Sequence, residues 1–229
     1  MLTLSIEHST ETASIALMNN ADFLNDRSWT VTRGNPGELF SELDFLLESC
    51  KADIADIDIF AVGLGPGSFT GLRISLSAFK TLALPENKSV YGLSSAESIA
   101  FMVANNEGKP ISTDKITIVG DARRDRLWIG EFTKDSDSIQ QTGDFTLIPI
   151  AEFHDKVMPG TIVATPDWER LSEKLSNTLP PTVRLVDKAI IPNAKTIAEL
   201  ASSRIERGVS SAPLEPIYMH PPVFVEPRY

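Results

Sequence analysis

By residue types and spacing, the best candidate for a site that could do chemistry is the glycine-rich turn at residues 63–71. Alternate glycines begin at Gly63, Pro66 restrains the turn, and Ser68 or Thr70 can cap the helix that follows. Where a turn leads from a buried strand into a helix, the free backbone N–H groups of the helix can bind a phosphate. Nucleotide binding is therefore the first chemistry to test.

The spacing of these glycines matches neither common nucleotide motif. A P-loop requires G-x-x-x-x-G-K-[ST], and no lysine followed by serine or threonine stands at that offset. The dinucleotide motif G-x-G-x-x-G requires glycine where this chain has Ser68 or, in the other register, Thr70. The remaining pattern, Gly67-x-x-x-Gly71, predicts close approach by another backbone in packing or at an interface. An anion bound at the helix N-terminus is the alternative.

The histidines and the cysteine do not form a catalytic or metal site by their spacing. His8, His154 and His220 lie far apart, which excludes a helical His-x-x-x-His pair. We interpret His154 as a partly buried structural residue. Cys50 is followed by Lys51, but no histidine is placed by the sequence to activate it. The sequence therefore predicts no metal site and no nucleophile dyad.

Composition and charge limit the location and the partners of the chain. The 229 residues, 42% of them hydrophobic, can bury an ordinary core. Cys50 is the only cysteine, and no charged and apolar leader follows Met1, so we expect a cytoplasmic protein without disulfides. No apolar run reaches membrane-spanning length. The formal net charge of -10, from 21 basic and 31 acidic residues, argues against broad contact with RNA by this chain alone.

The stretch from Gly65 to Arg73, which reads Gly-Pro-Gly-Ser-Phe-Thr-Gly-Leu-Arg, resembles the signature of the TsaB (YeaZ) family. The similarity extends to Leu2–Leu17, Gly120–Arg123 and Glu215–Met219, and so covers nearly the whole chain. It implies a non-catalytic partner subunit in the synthesis of N6-threonylcarbamoyladenosine at position 37 of tRNA. The implied partners are TsaD, the catalytic paralogue, and TsaE, an accessory ATPase, with tRNA contacted mainly through the complex. The resemblance also implies a homodimer when the chain is alone, and it leaves ATP or ADP at the partner interface open.

Two sets of residues are candidates for the partner surface. The first is the turn and helix start, as a partner interface or as an anion-binding turn: Gly65, Pro66, Gly67, Ser68, Phe69, Thr70, Gly71 and Arg73. The second is an apolar stripe on the preceding helix, which is predicted from about Pro36 to Cys50: Leu39, Phe40, Leu43, Leu46 and Leu47. By resemblance, TsaB proteins pair with TsaD through these two helices.

A third set consists of candidates for a cleft between two lobes: Glu7, Ser9, Thr10, Asp121 and Arg123. Glu7 stands where nucleotide-hydrolysing proteins of the ASKHA fold class, and usually TsaB proteins, carry aspartate. We interpret Glu7 as a structural hydrogen-bonding residue. Asp121 and Arg123 keep the family pattern in a charged turn, whereas Arg126 replaces the usual acidic residue. The turn is either solvated, with its own ion pairs, or faces the cleft.

The order of predicted elements indicates the fold. Leu2–Ser9 and Thr12–Met18 alternate as a β-hairpin, a third strand follows between Phe23 and Thr32, and helix, strand, helix and strand continue to Leu93. This is the ribonuclease-H-like order, which actin, the sugar kinases and the Hsp70 ATPase use once in each of two lobes. We therefore predict an α/β, two-lobed ASKHA fold with a reduced second lobe.

The lobe boundary is predicted in the polar segment Asn105–Pro110, which gives a first lobe of residues 1–105 and a smaller lobe of residues 106–193. In the second lobe we predict strands at 116–121, 127–133, 145–148, 162–164 and 183–186, helices at 150–157 and 168–175, and a polar loop at 134–143. A last helix at about 194–208 can pack back on the first lobe. Residues 209–229 are expected to form an extended, proline-rich tail anchored by Tyr218.

Two other functions stay open beside the partner subunit. An ASKHA-type small-molecule kinase or ATPase would need a second glycine-rich loop for adenosine, and none follows Asp121. A glycoprotease-like peptidase would need a metal pair or a nucleophile dyad. TsaD carries a metal-binding histidine pair that this chain lacks, so we expect the chain to be inactive alone.

Overall fold

Two β-sheets, each covered by helices, organise residues 1–32, 37–105, 113–135 and 138–220, which the computed structural model describes. The strands are β1 (Leu2–Glu7), β2 (Thr12–Asn19), β3 (Asp22–Thr30), β4 (Ile59–Gly63), β5 (Ser89–Leu93), β6 (Lys115–Asp121), β7 (Arg126–Asp135), β8 (Ser138–Gln141), β9 (Thr146–Pro149), β10 (Ile162–Thr165) and β11 (Arg184–Ala189). The helices are α1 (Glu38–Cys50), α2 (Phe69–Ala83), α3 (Ser95–Asn105), α4 (Phe153–Lys156), α5 (Trp168–Thr178) and α6 (Ala194–Glu206). In this part of the chain no helix is long and apolar enough to cross a membrane.

Both sheets have the same strand order. The first runs β3-β2-β1-β4-β5, with β1 to β3 antiparallel and with β4 and β5 parallel to β1. The second runs β8-β7-β6-β10-β11, with the corresponding directions and with β9 also paired to β7. A ribonuclease-H-like order that occurs twice confirms the predicted two-lobed ASKHA fold. The lobe boundary itself stays a prediction, since residues 106–112 lie outside the described residues.

Helices α1 and α2 pack against one face of the first sheet and α6 packs against the other. On the α1 and α2 side, strand residues such as Leu4 and Ile6 join Leu46 and Phe79 in one core. On the opposite side, Ser5 Oγ donates a hydrogen bond to the carbonyl oxygen of Ala194 at 2.7 Å. The last helix is thus attached to the first sheet, 189 residues from Ser5 along the chain.

Helix α3 packs on the second sheet and meets α6 through a buried ion pair. Glu97 is 3% exposed, and Arg204 Nη2 donates a hydrogen bond to its Oε1 at 2.5 Å. Burial raises the pKa of Glu97 to about 7, although the positive charge of Arg204 acts in the opposite direction. This pair therefore joins a helix of one sheet to a helix of the other.

Three features of the predicted elements need correction or fall outside the described residues. Residues 138–141 form β8, where a polar loop was predicted, because a strand at the sheet edge needs only Ile139 to point into the core. Helix α1 begins at Glu38, and its predicted start at Pro36 lies outside the described residues. The predicted helix at 150–157 is a 3-10 turn at Ile150–Glu152 followed by the single turn of α4.

We expect Glu97→Gln to change how the free energy of unfolding depends on pH. The pKa of Glu97 rises from 4.5 to about 7 on folding, so the folded chain keeps a proton that the unfolded chain releases. The stability from this proton is complete below the unfolded pKa and is lost as pH rises through the folded pKa. Between about pH 5 and about pH 8, the wild-type protein should lose about 2–3 kcal/mol relative to the variant.

Denaturant titrations of both proteins at each pH measure this difference. Glu206→Gln, an exposed change on the same helix as Arg204, is the matched control and should keep the wild-type dependence. Parallel curves for the wild-type protein and Glu97→Gln would show that Glu97 keeps an ordinary pKa in the folded chain.

Candidate functional site

The carboxylate of Glu7 is completely buried at the end of β1. Its Oε1 accepts a hydrogen bond from Ser9 N at 2.6 Å, and its Oε2 accepts one from Ser95 Oγ at 2.7 Å. Burial raises the pKa of this carboxyl, while the hydrogen bonds from Ser9 and Ser95 lower it. Both oxygens are therefore used inside the chain, between the first hairpin and the start of α3.

Ser95 also holds the glycine-rich turn, through two hydrogen bonds with Gly65. Gly65 N donates to Ser95 Oγ at 2.9 Å, and Ser95 N donates to the carbonyl oxygen of Gly65 at 2.8 Å. Gly65 has φ of 93°, in the region that favours glycine, and the Gly65–Pro66 peptide bond is cis. A Cβ at Gly63 would overlap the carboxylate of Glu7. The first glycines of the turn are thus required by contacts within the chain.

Gly67 and Gly71 pack against the turn between β1 and β2. A Cβ at Gly67 would overlap the carbonyl oxygen of Ser9, and a Cβ at Gly71 would overlap that of His8. Ser68 N donates to the carbonyl oxygen of Ser9 at 2.7 Å. The predicted close approach of another backbone does occur, and that backbone belongs to the first hairpin of the same chain.

The polar groups at the start of α2 are largely satisfied within the chain. Ser68, rather than Thr70, is the N-cap, and its Oγ accepts a hydrogen bond from Gly71 N at 3.2 Å. On the neighbouring hairpin turn, Thr10 Oγ1 donates to the carbonyl oxygen of Thr12 at 2.8 Å and accepts from its N–H. Ser68 and Thr10 therefore stabilise local turns in this structure.

The exposed part of the turn carries an aromatic and a basic side chain. Phe69 is 55% exposed, and the guanidinium carbon of Arg73 lies 5.1 Å from the centre of its ring. The ring of Tyr218 lies 5.0 Å from the ring of Phe69, with 32° between the ring planes. Thr70 is also exposed, whereas Gly65 and Pro66 are buried. Phe69, Arg73 and Tyr218 thus form one outward-facing group.

The predicted apolar stripe on α1 divides between the core and the surface. Leu39, Leu43 and Leu46 are at most 4% exposed and belong to the core of the first sheet, and Leu47 packs against the same core. The prediction of a partner-facing stripe is wrong for Leu39, Leu43 and Leu46, since their side chains are already buried within the lobe, and Leu47 is partly buried there. Phe40 remains, 47% exposed on the outer side of the helix.

The sequence analysis did not place Phe45 on the surface, where the structure has it 53% exposed. The guanidinium carbon of Arg27 lies 4.4 Å from the centre of the Phe45 ring. A signal was present, because Phe45 does not share the three- and four-residue spacing that relates the buried leucines of the helix. We call Phe40, Phe45, Phe69 and Arg73 the outer helix face.

Asp121 and Arg123 lie in the turn between β6 and β7, where they form an ion pair at 3.0 Å. The guanidinium of Arg170 lies 3.7 Å from Asp121 and 3.6 Å from Glu11, which is in the turn of the first hairpin. It also binds Asp167 at 2.7 Å. The charged turn therefore faces the first hairpin, and Arg170 bridges the two.

Ser95 and Arg170 are site residues that the sequence analysis missed. Ser95 lies 88 residues from Glu7, and Arg170 lies 49 residues from Asp121, and no spacing rule relates such positions. In the described ranges, histidine, cysteine and acidic side chains form no group of three that could hold a metal ion. A cavity of about 200 Å³ lies on the second sheet, lined by residues that include Thr117, Glu131 and Lys156, away from the predicted sites.

Comparison with known proteins gives one family for most of the chain. The family model TsaD, described as tRNA N6-adenosine threonylcarbamoyltransferase, matches residues 38–187. A TsaB protein of Escherichia coli (strain K12), named as a tRNA threonylcarbamoyladenosine biosynthesis protein, is 27% identical over 139 residues, which are 61% of this chain and 58% of that protein. The TsaB protein of Bacillus subtilis (strain 168) is 26% identical over 175 residues, which are 76% of this chain and 67% of that protein.

A solved structure of YeaZ from Pseudomonas aeruginosa has the same fold. Its TM-score is 0.77 at 22% sequence identity, and the match covers 95% of this chain and 99% of that chain. At this identity the likeness establishes the fold and leaves the function to other evidence.

We expect Gly71→Ala to lower the free energy of unfolding. The added Cβ would overlap the carbonyl oxygen of His8, so the first hairpin or α2 must shift. We expect a loss of about 1–3 kcal/mol, as for overpacking in a core, even though alanine favours a helix over glycine by roughly 1 kcal/mol. Urea denaturation measures the change, and Thr70→Ala, at the exposed neighbouring position, should lie within about 0.5 kcal/mol of wild type. A Gly71→Ala protein as stable as wild type would rule out this packing.

Proposed function

This chain belongs to the TsaD family and, within it, to the TsaB (YeaZ) group, and we propose that it is the non-catalytic partner subunit of a TsaD-type threonylcarbamoyltransferase. The complex forms N6-threonylcarbamoyladenosine at position 37 of tRNA. The names of the relatives support the pathway. The observation that supports the role of partner subunit is the outer helix face.

The outer helix face presents three phenylalanine rings to solvent on two helices that share one core. Phe40, Phe45 and Phe69 are each 47–55% exposed. Exposed apolar residues are common singly, and we interpret the three exposed phenylalanines of this lobe as parts of a protein interface. Aromatic and arginine side chains also contribute most of the binding energy in many interfaces.

The family match indicates what this face binds. The TsaD family model begins to match at residue 38, where α1 starts, and so includes both helices of the face. A TsaD-type partner therefore has counterparts of α1 and α2, and two related helix pairs can pack across a pseudo-twofold axis. We propose TsaD as the occupant and a homodimer through the same face when TsaD is absent.

The candidate cleft residues support a subunit without catalysis of its own. In a nucleotide-hydrolysing site, an acid on the first strand and the following turn must be available to metal and phosphate. Here Glu7 is buried with both oxygens hydrogen-bonded, and Thr10 is engaged in its own turn. Arg170 lies between the first hairpin and Asp121. These groups are used for structure.

The remaining assignments rest on charge and on family membership. A net charge of -10 opposes extensive contact with tRNA, so we propose that tRNA is held mainly by the other subunits of the complex. TsaE is proposed as the accessory ATPase, and any ATP or ADP is proposed at the interface with the partner. We propose a cytoplasmic location, as for the tRNA substrate.

We expect the isolated chain, supplied with divalent metal, ATP, tRNA and an activated threonylcarbamoyl donor, to show neither ATP hydrolysis nor tRNA modification, because its cleft groups are engaged. With the same donor present, the reconstituted mixture with TsaD and TsaE from the same organism should modify tRNA, and leaving out this chain should abolish the product. Nucleoside analysis of the digested tRNA and a phosphate-release assay measure both reactions. Turnover of ATP by the chain alone would favour the kinase or ATPase alternative instead, and cleavage of a peptide would favour the peptidase.

We expect Phe40→Ala and Phe45→Ala each to weaken binding to TsaD by at least about tenfold, because each removes an exposed ring from the proposed interface. Isothermal titration of TsaD into each variant measures the dissociation constant. Met158→Ala, which truncates a 52% exposed residue of the second lobe, is the matched control and should bind as wild type does. Wild-type affinity in both phenylalanine variants would exclude α1 from the interface.

A further inference from the structure

Residues 211–220, which we call the C-terminal strap, are fixed to the first lobe by main-chain contacts. Ala212 forms an isolated antiparallel bridge with Gly92 at the free edge of β5. Lys80 of α2 donates a hydrogen bond to the carbonyl oxygen of Leu214 at 2.9 Å. Ile217 N donates to the carbonyl oxygen of Leu64 at 2.8 Å, next to the glycine-rich turn. The strap therefore follows a defined path beside α2.

The end of the strap is fixed to the second lobe. Met219 packs against the core of the second sheet. His220 Nε2 lies 2.7 Å from the carbonyl oxygen of Ala122, which can only accept, so the ring nitrogen is the donor. Ala122 is in the charged turn between β6 and β7. The strap thus spans both lobes, with Tyr218 between its two attachments.

Tyr218 is held on both sides and is still 47% exposed. Its ring lies against Phe69, which in turn lies under the guanidinium of Arg73. A tyrosine fixed by its neighbours loses little conformational freedom on binding, which makes it an effective contact residue. Tyrosine and arginine are also the residue types most enriched among strong interface contacts. Tyr218 therefore has the position and the rigidity of an anchor.

We propose that Tyr218 is a contact residue for the TsaD-type partner and that the C-terminal strap positions it. This inference rests on the proposed function and extends its interface from the two helices to the end of the chain. Continuity of the surface identifies the occupant, because Tyr218 stacks directly on Phe69 of the outer helix face. A partner that covers Phe69 and Arg73 must also approach Tyr218.

His220 is a positioning residue for this contact. Its hydrogen bond to Ala122 fixes the chain two residues beyond Tyr218, on the side away from Ile217. Without it, the end of the strap is held to the second lobe by the packing of Met219 alone. His220 therefore acts through Tyr218 and needs no contact with the partner of its own.

The test is titration of TsaD from the same organism into the full chain and its variants, with circular dichroism to confirm folding. Tyr218→Ala should raise the dissociation constant at least about tenfold, while Tyr218→Phe, which keeps the ring, should change it by no more than about twofold. Met158→Ala serves again as the control for an exposed residue. If Tyr218→Ala perturbs the fold, Tyr218→Leu fills part of the same space without a ring and gives the same test.

The role of His220 is tested by a double-mutant cycle. His220→Ala should weaken binding about three- to fivefold, and in the Tyr218→Ala background it should have no further effect. His154, which the sequence predicted to be partly buried, is exposed on α4, so His154→Ala should bind as wild type does. Additive effects of the two changes would overturn the positioning role.

Failure of this inference can be told from failure of the proposed function. A wild-type chain that does not bind TsaD would overturn both. A wild-type chain that binds TsaD, with Tyr218→Ala binding equally well, would overturn only the role of Tyr218 and leave the helix interface in place.

Discussion

The buried carboxylate of Glu7 is the constraint on which the first lobe depends. It joins the first hairpin through Ser9 and the start of α3 through Ser95, and Ser95 passes the connection on to Gly65. A polar group buried without a partner lowers the stability of the fold by about 1–3 kcal/mol, and a charged group lowers it by more. None of these segments can therefore move without leaving a buried polar group unpaired. The glycines of the turn follow from this arrangement, since side chains at Gly63 and Gly67 would displace the carboxylate and the hairpin.

This constraint also separates the inside of the turn from its outside. The inward groups satisfy one another, and the outward side chains, Phe69 and Arg73, are carried on a helix whose start is fixed by the hairpin. A surface that is rigid before binding loses less entropy when a partner is bound. Glu7, Ser9 and Ser95 thus hold the start of α2 and its exposed side chains in place.

Alternation predicted the first hairpin although β1 and β2 are buried on both faces, because larger apolar residues such as Leu4 face α1 and α2 and small ones such as Ser5 face α6. Periodicity did not separate the buried from the exposed residues of α1. Leu39, Leu43 and Leu46 recur at helical spacing and point into the core, whereas Phe40 is exposed although it lies three residues before Leu43. Strand β8 was missed because only Ile139 of its four residues is apolar. The contact between Glu97 and Arg204 spans 107 residues, and pairs at such distances leave no local pattern in a sequence.

The contacts between the two lobes differ in strength, and this decides where the lobes can part. Glu97 is buried at its contact with Arg204, and separating the two would leave a buried carboxyl group without its partner, which costs about 1–3 kcal/mol and more when the group is charged. Where the charged turn meets the first hairpin, the guanidinium of Arg170 lies 3.6 Å from the carboxylate of Glu11, and both side chains are exposed. Such an exposed ion pair contributes about 0–1 kcal/mol to stability. Separation of the first hairpin from the charged turn therefore costs less than separation of α3 from α6.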